Sequence, residues 1–339
     1  VNVEWDGSAA GPRCVVAVVG PTATGKSDLA LDLAKALSGQ VPAEIVNADA
    51  YQLYRGMDVG TAKVPVAERR GVAHHQLDVL DPIEDASVAR YQSAARRDLD
   101  DIAGRGARAV VVGGSGLYVR ALLDHLDFPG TDPRVRARLE DRAEAEGSRA
   151  LYDELLERDP AAAGSIGPRN TRRLVRALEV IAITGRPYTA NLPRQEYVRP
   201  AVQIGLDCDR QVLDARVAHR VERMWEGGLE QEVRSLASPE QGGVGAGLGA
   251  TAARAVGYAE LLAAWHGELT ADEAREAIVA NTRRLARKQM GWFGRDPRVR
   301  WLDAGSPTLL DDALALVRAA DAGSLPEPAA EPVRRSLGS

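Results

Sequence analysis

Residues 14–19 read CVVAVV, an apolar run without polar alternation. So short a run fits a strand buried on both faces, because a buried helix needs about ten residues or more. A glycine-rich turn follows. From Ser27 to Leu37 the apolar positions recur at helical spacing, so the pattern predicts strand, loop, helix. Residues 44–46 and 109–112 predict further buried strands, each running into a polar loop. Strands alternating with helices imply a parallel sheet covered on both faces. From 132 to 184 the pattern is helical throughout: RVRARLEDRAEAEG, SRALYDELLERD, then NTRRLVRALEVIAITG, punctuated by Pro133, Pro160, Pro168 and Pro187. Strand character returns at 203–206, and long helices run on to about Phe293. The expected organisation is an α/β core over 14–128 and 200–305, interrupted by an all-helical insertion over 129–199. Residues 1–13 and 323–339 read as loose tails, the second rich in proline and serine.

The turn after the first strand is Gly20-Pro21-Thr22-Ala23-Thr24-Gly25-Lys26-Ser27, a full G-x-x-x-x-G-K-[ST] phosphate loop between predicted strand and predicted helix. Its glycines let successive backbone N–H groups turn inward on phosphate oxygens. The helix N-terminus adds the positive end of its dipole, and Lys26 adds a point charge. Ser27 supplies a hydroxyl for Mg²⁺. The fold class that follows is α/β, a P-loop NTPase-like parallel sheet with helices on both faces. Nucleotide hydrolases usually end a second strand in a metal-holding acid, yet Val112 runs into Gly113-Gly114-Ser115-Gly116 without one. No Asn-Lys-x-Asp segment for reading guanine occurs. A GTPase is disfavoured and an ordinary ATPase weakened, so the loop can hold a plain diphosphate.

Asp49 falls where the strand at 44–46 meets its loop, the edge at which such sheets bind ligands. Two roles fit it: a helix N-cap, or a general base or metal-shell carboxylate beside the phosphate loop. Gly113 to Gly116 fits either a tight turn or a ligand loop. Tyr54 and Tyr118 stand near the site and fit the core equally well.

Composition narrows the class. The 339 residues are 45% hydrophobic and 27% charged, a globular profile too apolar for a disordered chain. No apolar run reaches membrane-spanning length, and residues 1–13 lack a signal pattern, so a cytoplasmic protein is expected. Two cysteines exclude a zinc cluster or disulfide framework. The net charge of −5 argues against nucleic acid, but the bases are clustered. Residues 168–199 carry seven arginines against Glu179 and Glu196 alone, and 283–300 carry seven bases against Asp296 alone. Such clusters are either solvated helix faces or the footprint of a phosphate-backbone binder.

Six blocks now stand in order: GPTATGKS, NADAYQLYRGMDVGTAK, VVVGGSGLY, RRLVRALEV, RAVGYAEL and NTRRLARKQMGWFGRDPRVRWLD. In order and spacing the chain resembles the tRNA dimethylallyltransferases (tRNA isopentenyltransferases) over residues 15–303, and it lacks the Cys/His zinc motif of their eukaryotic members. The resemblance implies transfer of a dimethylallyl group from dimethylallyl diphosphate to N6 of adenosine 37 of tRNA, beside the anticodon. It implies that the loop and Lys26 hold the isoprenoid's diphosphate with Mg²⁺ near Ser27, and that Asp49 is the general base. Ser115 stands where the family usually has threonine, its hydroxyl facing the bridging oxygen. The tRNA contacts it implies are Asp49, Ala50, Tyr51, Gln52 and Ser115, with Arg136, Arg172, Arg173, Arg176, Arg254, Gly257, Arg287, Lys288 and Gln289. Asp49 to Gln52 reads Asp-Ala-Tyr-Gln where the commoner pattern is Asp-Ser-Met-Gln, so Tyr51 would offer stacking area instead. The target base must leave its stack to reach such a site. A monomer is the default state.

Three rivals remain. A small-molecule kinase explains the phosphate loop and Asp49 but leaves the basic clusters without purpose. An adenylate isopentenyltransferase needs no tRNA surface. A non-catalytic RNA-binding ATPase wants the acid missing after Val112.

Overall fold

The structure, a computed structural model, describes residues 13–39, 42–126, 128–191, 195–237 and 247–327. Six strands form one all-parallel sheet: β1 (Val15–Val19), β2 (Ala43–Asn47), β3 (His74–His75), β4 (Arg108–Val112), β5 (Ala201–Asp207) and β6 (Val299–Asp303). Their order is β3-β2-β4-β1-β5-β6, with β1 and β4 central. Strand β1 shows why the run needs no polar alternation. Val15, Ala17 and Val19 enter one apolar cluster while Val16 and Val18 enter the other, so both faces are buried.

Helices α1 (Lys26–Leu37) and α12 (Leu309–Asp321) cover the face of Val16 and Val18. The opposite face is covered by α2 (Val88–Gly104) and α3 (Gly116–Leu123), joined by residues of α8 (Arg210–Glu226), α9 (Leu229–Ala237), α10 (Tyr258–Trp265) and α11 (Ala271–Phe293). The expected parallel α/β core is the one observed. It reaches past 305, however: Ala313 and Val317 of α12 are fully buried, and Asp321 pairs with the buried Arg108 at 2.6 Å. Strands β3 and β6 were not anticipated. Two-residue β3 is too short for any periodicity, and β6 lies in a stretch half-buried at three of five positions. Residues 1–12 and 328–339, most of the expected tails, lie outside the described residues.

The contacts group the chain into two units, Val1–Leu123 with Tyr197–Ser339, and Asp124–Glu196. The sequence pattern places the helical unit at 129–199. It holds α4 (Pro133–Glu146), α5 (Ser148–Arg158), α6 (Pro160–Ile166) and α7 (Thr171–Thr184) around Leu139, Leu151, Leu155, Leu174 and Leu178. Asp132, Asp159 and Asn170 cap α4, α6 and α7, each side chain accepting from a first-turn N–H, and Pro133 and Pro160 open the two aspartate-capped helices. Helix α6 went unread because its PAAAGSI offers no apolar stripe.

Inside this unit Glu179 is wholly buried. Its carboxylate accepts from Arg136 at 2.7 Å, from Arg176 at 2.8 Å and from the Asp132 N–H at 3.2 Å. Burial alone would raise its pKa, but the Arg136 and Arg176 hydrogen bonds prevail and hold the carboxyl below its ordinary value. A carboxylate depressed on folding adds stability that is present above its unfolded pKa, about 4.3, and is lost as pH falls through the folded value. We expect Glu179→Gln to cost about 1.5–3 kcal/mol at pH 7, the range for hydrogen bonds to charged groups. The gap from wild type should close below pH 4. Urea unfolding followed by circular dichroism at both pH values checks this; an unchanged midpoint at pH 7 would refute it.

Candidate active site at the strand ends

The carboxyl end of β1 passes into Gly20–Ser27 and thence into α1. Gly25 takes φ 89°, a left-handed conformation open to glycine, and no side chain caps the helix it precedes. The first N–H groups of α1 are thereby left for an anion. Side chains brace the loop from within: Thr24 Oγ1 donates to the Pro21 carbonyl at 2.9 Å, and Lys26 Nζ to the same carbonyl at 2.5 Å. The Thr22 N–H donates across to Gln289 Oε1 of α11 at 2.7 Å. Burial, reinforced by nearby Arg220 and opposed by Asp49, pulls the Lys26 ammonium down to about 7. The Ser27 hydroxyl makes no hydrogen bond among the described residues.

The next loop grows from β2. Asn47 Oδ1 accepts from the Asp49 N–H at 2.9 Å, while its Nδ2 donates to the Asp49 and Gln76 carbonyls at 3.0 and 2.9 Å. Asp49 begins no helix, so the N-cap reading is set aside. Its Oδ1 instead accepts from the Tyr51 N–H at 3.0 Å, closing a turn, and Oδ2 has no partner among the described residues. Ser115, after β4, accepts from the Ala50 N–H at 3.1 Å and so ties the two loops together. Its hydroxyl proton has no acceptor among the described residues and can be donated.

Two hollows adjoin the phosphate loop. One, small, is lined by Thr22, Asp49, Arg220 and Gln289 among the apolar side chains of Met224, Leu229, Ile278 and Leu285. The other is cationic on balance: Lys26, Lys63, Arg216, Arg220 and Arg223 line it against Asp28, Asp32 and Glu68. Arg220 lines both. Burial lowers its pKa, Asp49 opposes that, and Arg223 adds to it. Arg220 lies outside the dense basic runs of the sequence, which leaves it inconspicuous there. The signal was spacing: 216, 219, 220 and 223 fall on one helical face of α8.

Tyr54 and Tyr118, which fitted site or core, are core residues. Half-buried Tyr51 packs against that core, and Gln52 Nε2 donates to the Thr61 carbonyl at 3.1 Å. Gly257 is buried and donates its N–H to Glu260 at 2.7 Å, while Arg254, Arg287 and Lys288 are exposed. In the helical unit Arg136 and Arg176 are engaged by Glu179, whereas Arg172 and Arg173 are exposed and unpaired among the described residues. Gln289, read as an RNA contact, spends its Oε1 on the phosphate loop. The structure thus gathers Lys26, Ser27, Asp49, Ser115 and Gln289 at one sheet edge.

A family profile described as IPP transferase matches residues 52–296. A tRNA dimethylallyltransferase from Kineococcus radiotolerans is 58% identical over 292 residues, spanning 86% of this chain and 90% of the relative. One from Bifidobacterium animalis subsp. lactis is 52% identical over 310 residues, 91% of this chain and 88% of the relative. Among solved structures, the tRNA isopentenylpyrophosphate transferase of Bacillus halodurans is 36% identical at TM-score 0.66, covering 92% of this chain and 98% of that one. A eukaryotic dimethylallyltransferase acting on tRNA is 25% identical at TM-score 0.76, covering 94% and 82%.

Removing the Gln289 brace should disturb anion binding. Gln289→Leu leaves the Thr22 N–H without its partner, a loss of about 1–3 kcal/mol. We expect inorganic pyrophosphate to bind about tenfold more weakly by calorimetry, since 1.4 kcal/mol is tenfold. Unaltered affinity would mean that the loop holds its shape without α11.

Proposed function

The chain belongs to the IPP transferase family, and from that membership we propose how its residues transfer a dimethylallyl group from dimethylallyl diphosphate to N6 of adenosine 37 in tRNA. The observation that carries the reading is the phosphate loop set between an apolar hollow and a cationic one. A diphosphate suits the cationic side and a five-carbon allyl group the apolar side, with Asp49 and Arg220 on the wall of the latter. Because β4 ends in glycines instead of an acid, the loop suits a diphosphate ester better than a nucleoside triphosphate awaiting hydrolysis.

The adenine amino group is too weak an acid to lose its proton first. Its nitrogen attacks the allylic carbon, the carbon–oxygen bond breaks, and the electron pair leaves with pyrophosphate. The N6 proton passes to Asp49 during or after bond formation; its Oδ2 lacks a partner. Ser115 donates its hydroxyl proton in a hydrogen bond to the bridging oxygen. Lys26, Arg220 and the N–H groups of the loop stabilise charge as it builds on the leaving group, the kind of contribution that commonly dominates such catalysis.

The residues present fit Mg²⁺. The Ser27 hydroxyl is unengaged, and among the described residues no group of three His, Cys, Asp or Glu could hold a metal. That donor set suits an ion bound through one protein oxygen, waters and substrate phosphates. When bound, the ion supplies further neutralisation of the diphosphate.

Arg172, Arg173, Arg254, Arg287 and Lys288 are exposed cations suited to the phosphates of an anticodon stem-loop. Such contacts position RNA, while the flipped base is read inside the site. No helix of the described residues is long and apolar enough to cross a membrane. A tRNA substrate fits a reaction in the cytoplasm.

Mixing the chain with Mg²⁺, labelled dimethylallyl diphosphate and either unmodified tRNA or free AMP tests the reading. Label is expected in tRNA alone; label in AMP would instead mark a free-nucleotide transferase, and ATP consumption without transfer a kinase. Asp49→Ala should lower kcat by roughly 10²–10⁴ with pyrophosphate and tRNA binding kept. Wild-type turnover in that variant would remove Asp49 from the base role. Replacing both Arg172 and Arg173 by Ala should weaken tRNA binding and flatten its salt dependence by about 0.7 in slope per lost phosphate contact. An unaltered slope would put the pair off the RNA path.

A further inference from the structure

Glu232 of α9 lies outside every motif considered above, yet its carboxylate collects four hydrogen bonds. Oε2 accepts from the N–H groups of Asp58 and Val59 at 2.8 and 2.6 Å. Oε1 accepts from the Gly60 N–H at 2.9 Å and from the Tyr258 hydroxyl. Burial and the neighbouring Glu232 carboxylate push the Tyr258 phenol well up, so it remains a donor. Three consecutive backbone N–H groups on one carboxylate fix a loop by its main chain.

That loop is packed as tightly as it is bonded. A Cβ on Gly60 would come within 2.5 Å of the Tyr258 ring and 2.8 Å of Leu229, so only glycine fits there. Its far end is also held: Thr61 Oγ1 donates to the Met57 carbonyl at 2.6 Å, and the buried Lys63 ammonium bonds Asp58 and Asp78 at 2.5 and 2.6 Å. What the loop presents is the Thr61 carbonyl, which accepts from Arg220 at 3.4 Å and from Gln52 at 3.1 Å. Arg220 is the cation shared by the two hollows. A carboxylate remote from the substrate is therefore linked to it through one short segment of backbone.

We propose that Glu232 is a positioning residue for the transfer reaction, holding residues 58–60 so that the Thr61 carbonyl aims the Arg220 guanidinium at the diphosphate. The inference rests on the diphosphate reading above and adds to it the residue that sets the cation's direction. Glu232 itself lines neither hollow. Glu232→Gln replaces one acceptor oxygen by an amide nitrogen that cannot accept, so at least one N–H of the loop loses its partner. Tyr258→Phe is gentler, removing only the phenol hydroxyl and leaving the three N–H bonds.

The test is a double-mutant cycle with Arg220→Ala, read on pyrophosphate binding and on transfer kinetics. Glu232→Gln is expected to weaken pyrophosphate binding about tenfold and to raise KM for dimethylallyl diphosphate while leaving KM for tRNA unchanged. In the Arg220→Ala background the same substitution should have almost no further effect, because the group it positions is gone. Effects that multiply in the double variant, or a wild-type pyrophosphate Kd in Glu232→Gln, would overturn the proposal. If Glu232→Gln does not fold, Tyr258→Phe carries the same cycle: it frees one side of Oε1, so that the carboxylate can turn away from the Gly60 N–H, and an expected weakening of about threefold should likewise vanish in the Arg220→Ala background. Pyrophosphate binding needs no transfer, so a wild-type chain that fails to prenylate would sink the reaction assignment and leave the Glu232 result standing on its own.

Discussion

Positive charge held where water is scarce is the constraint on which the rest of this site depends. Lys26 and Arg220 both lose hydration, and both are made less comfortable by a neighbouring cation, Arg220 for Lys26 and Arg223 for Arg220. Asp49 relieves each, but one carboxylate cannot balance them. In the proposed reaction a diphosphate arriving from solution supplies the missing negative charge, and when its ester bond breaks that charge would grow where the cations already stand. Little reorganisation is needed at that moment, which is how fixed charges in a dry site lower a barrier. The cost of gathering like charges is met by the fold in advance.

The fold meets it with a parallel sheet whose carboxyl ends all open on one edge. Strands β1, β2 and β4 are adjacent, so the phosphate loop, the Asp49 loop and the Ser115 loop emerge side by side. None is held by side chain alone. Asn47 bonds the backbone at Asp49, Ser115 the backbone at Ala50, Gln289 the backbone at Thr22, and Glu232 the backbone from Asp58 to Gly60. Ties from side chain to main chain fix where a loop runs whatever side chains it carries. They hold Asp49 through main-chain atoms, independently of the side chains at Ala50 and Tyr51.

What the sequence revealed, and what it hid, follows from the range of each interaction. The strands at 14–19, 44–46, 109–112 and 203–206 were legible because a parallel strand buried on both faces is a continuous apolar run. The phosphate loop was legible because its function needs a contiguous glycine-rich turn. Lys26 and Ser27 were legible because they close that same contiguous turn, and Asp49 and Ser115 because each stands within three residues of a strand end. Arg220, Glu232 and Tyr258 were not, since their partners lie 159, 172 and 26 positions away along the chain. Pairing at that distance leaves no local pattern. The same limit hid β6, which is defined by its pairing with β5.

Charge counting in sequence also overstates what a helix offers an RNA. Arg136, Arg172, Arg173 and Arg176 look equivalent on the page, but Glu179 divides them. Arg136 and Arg176 spend their guanidiniums on a wholly buried carboxylate, and Arg176 also donates to the carbonyls of Pro129 and Gly130. A phosphate competing for them would leave that carboxylate buried with fewer partners, which costs more than an exposed contact returns. Arg172 and Arg173 have no such claim on them and, in the proposed complex, would exchange only water and counterions for phosphate. A chain of net charge −5 can therefore serve RNA with a few unpaired cations, provided that its other bases are neutralised within the fold.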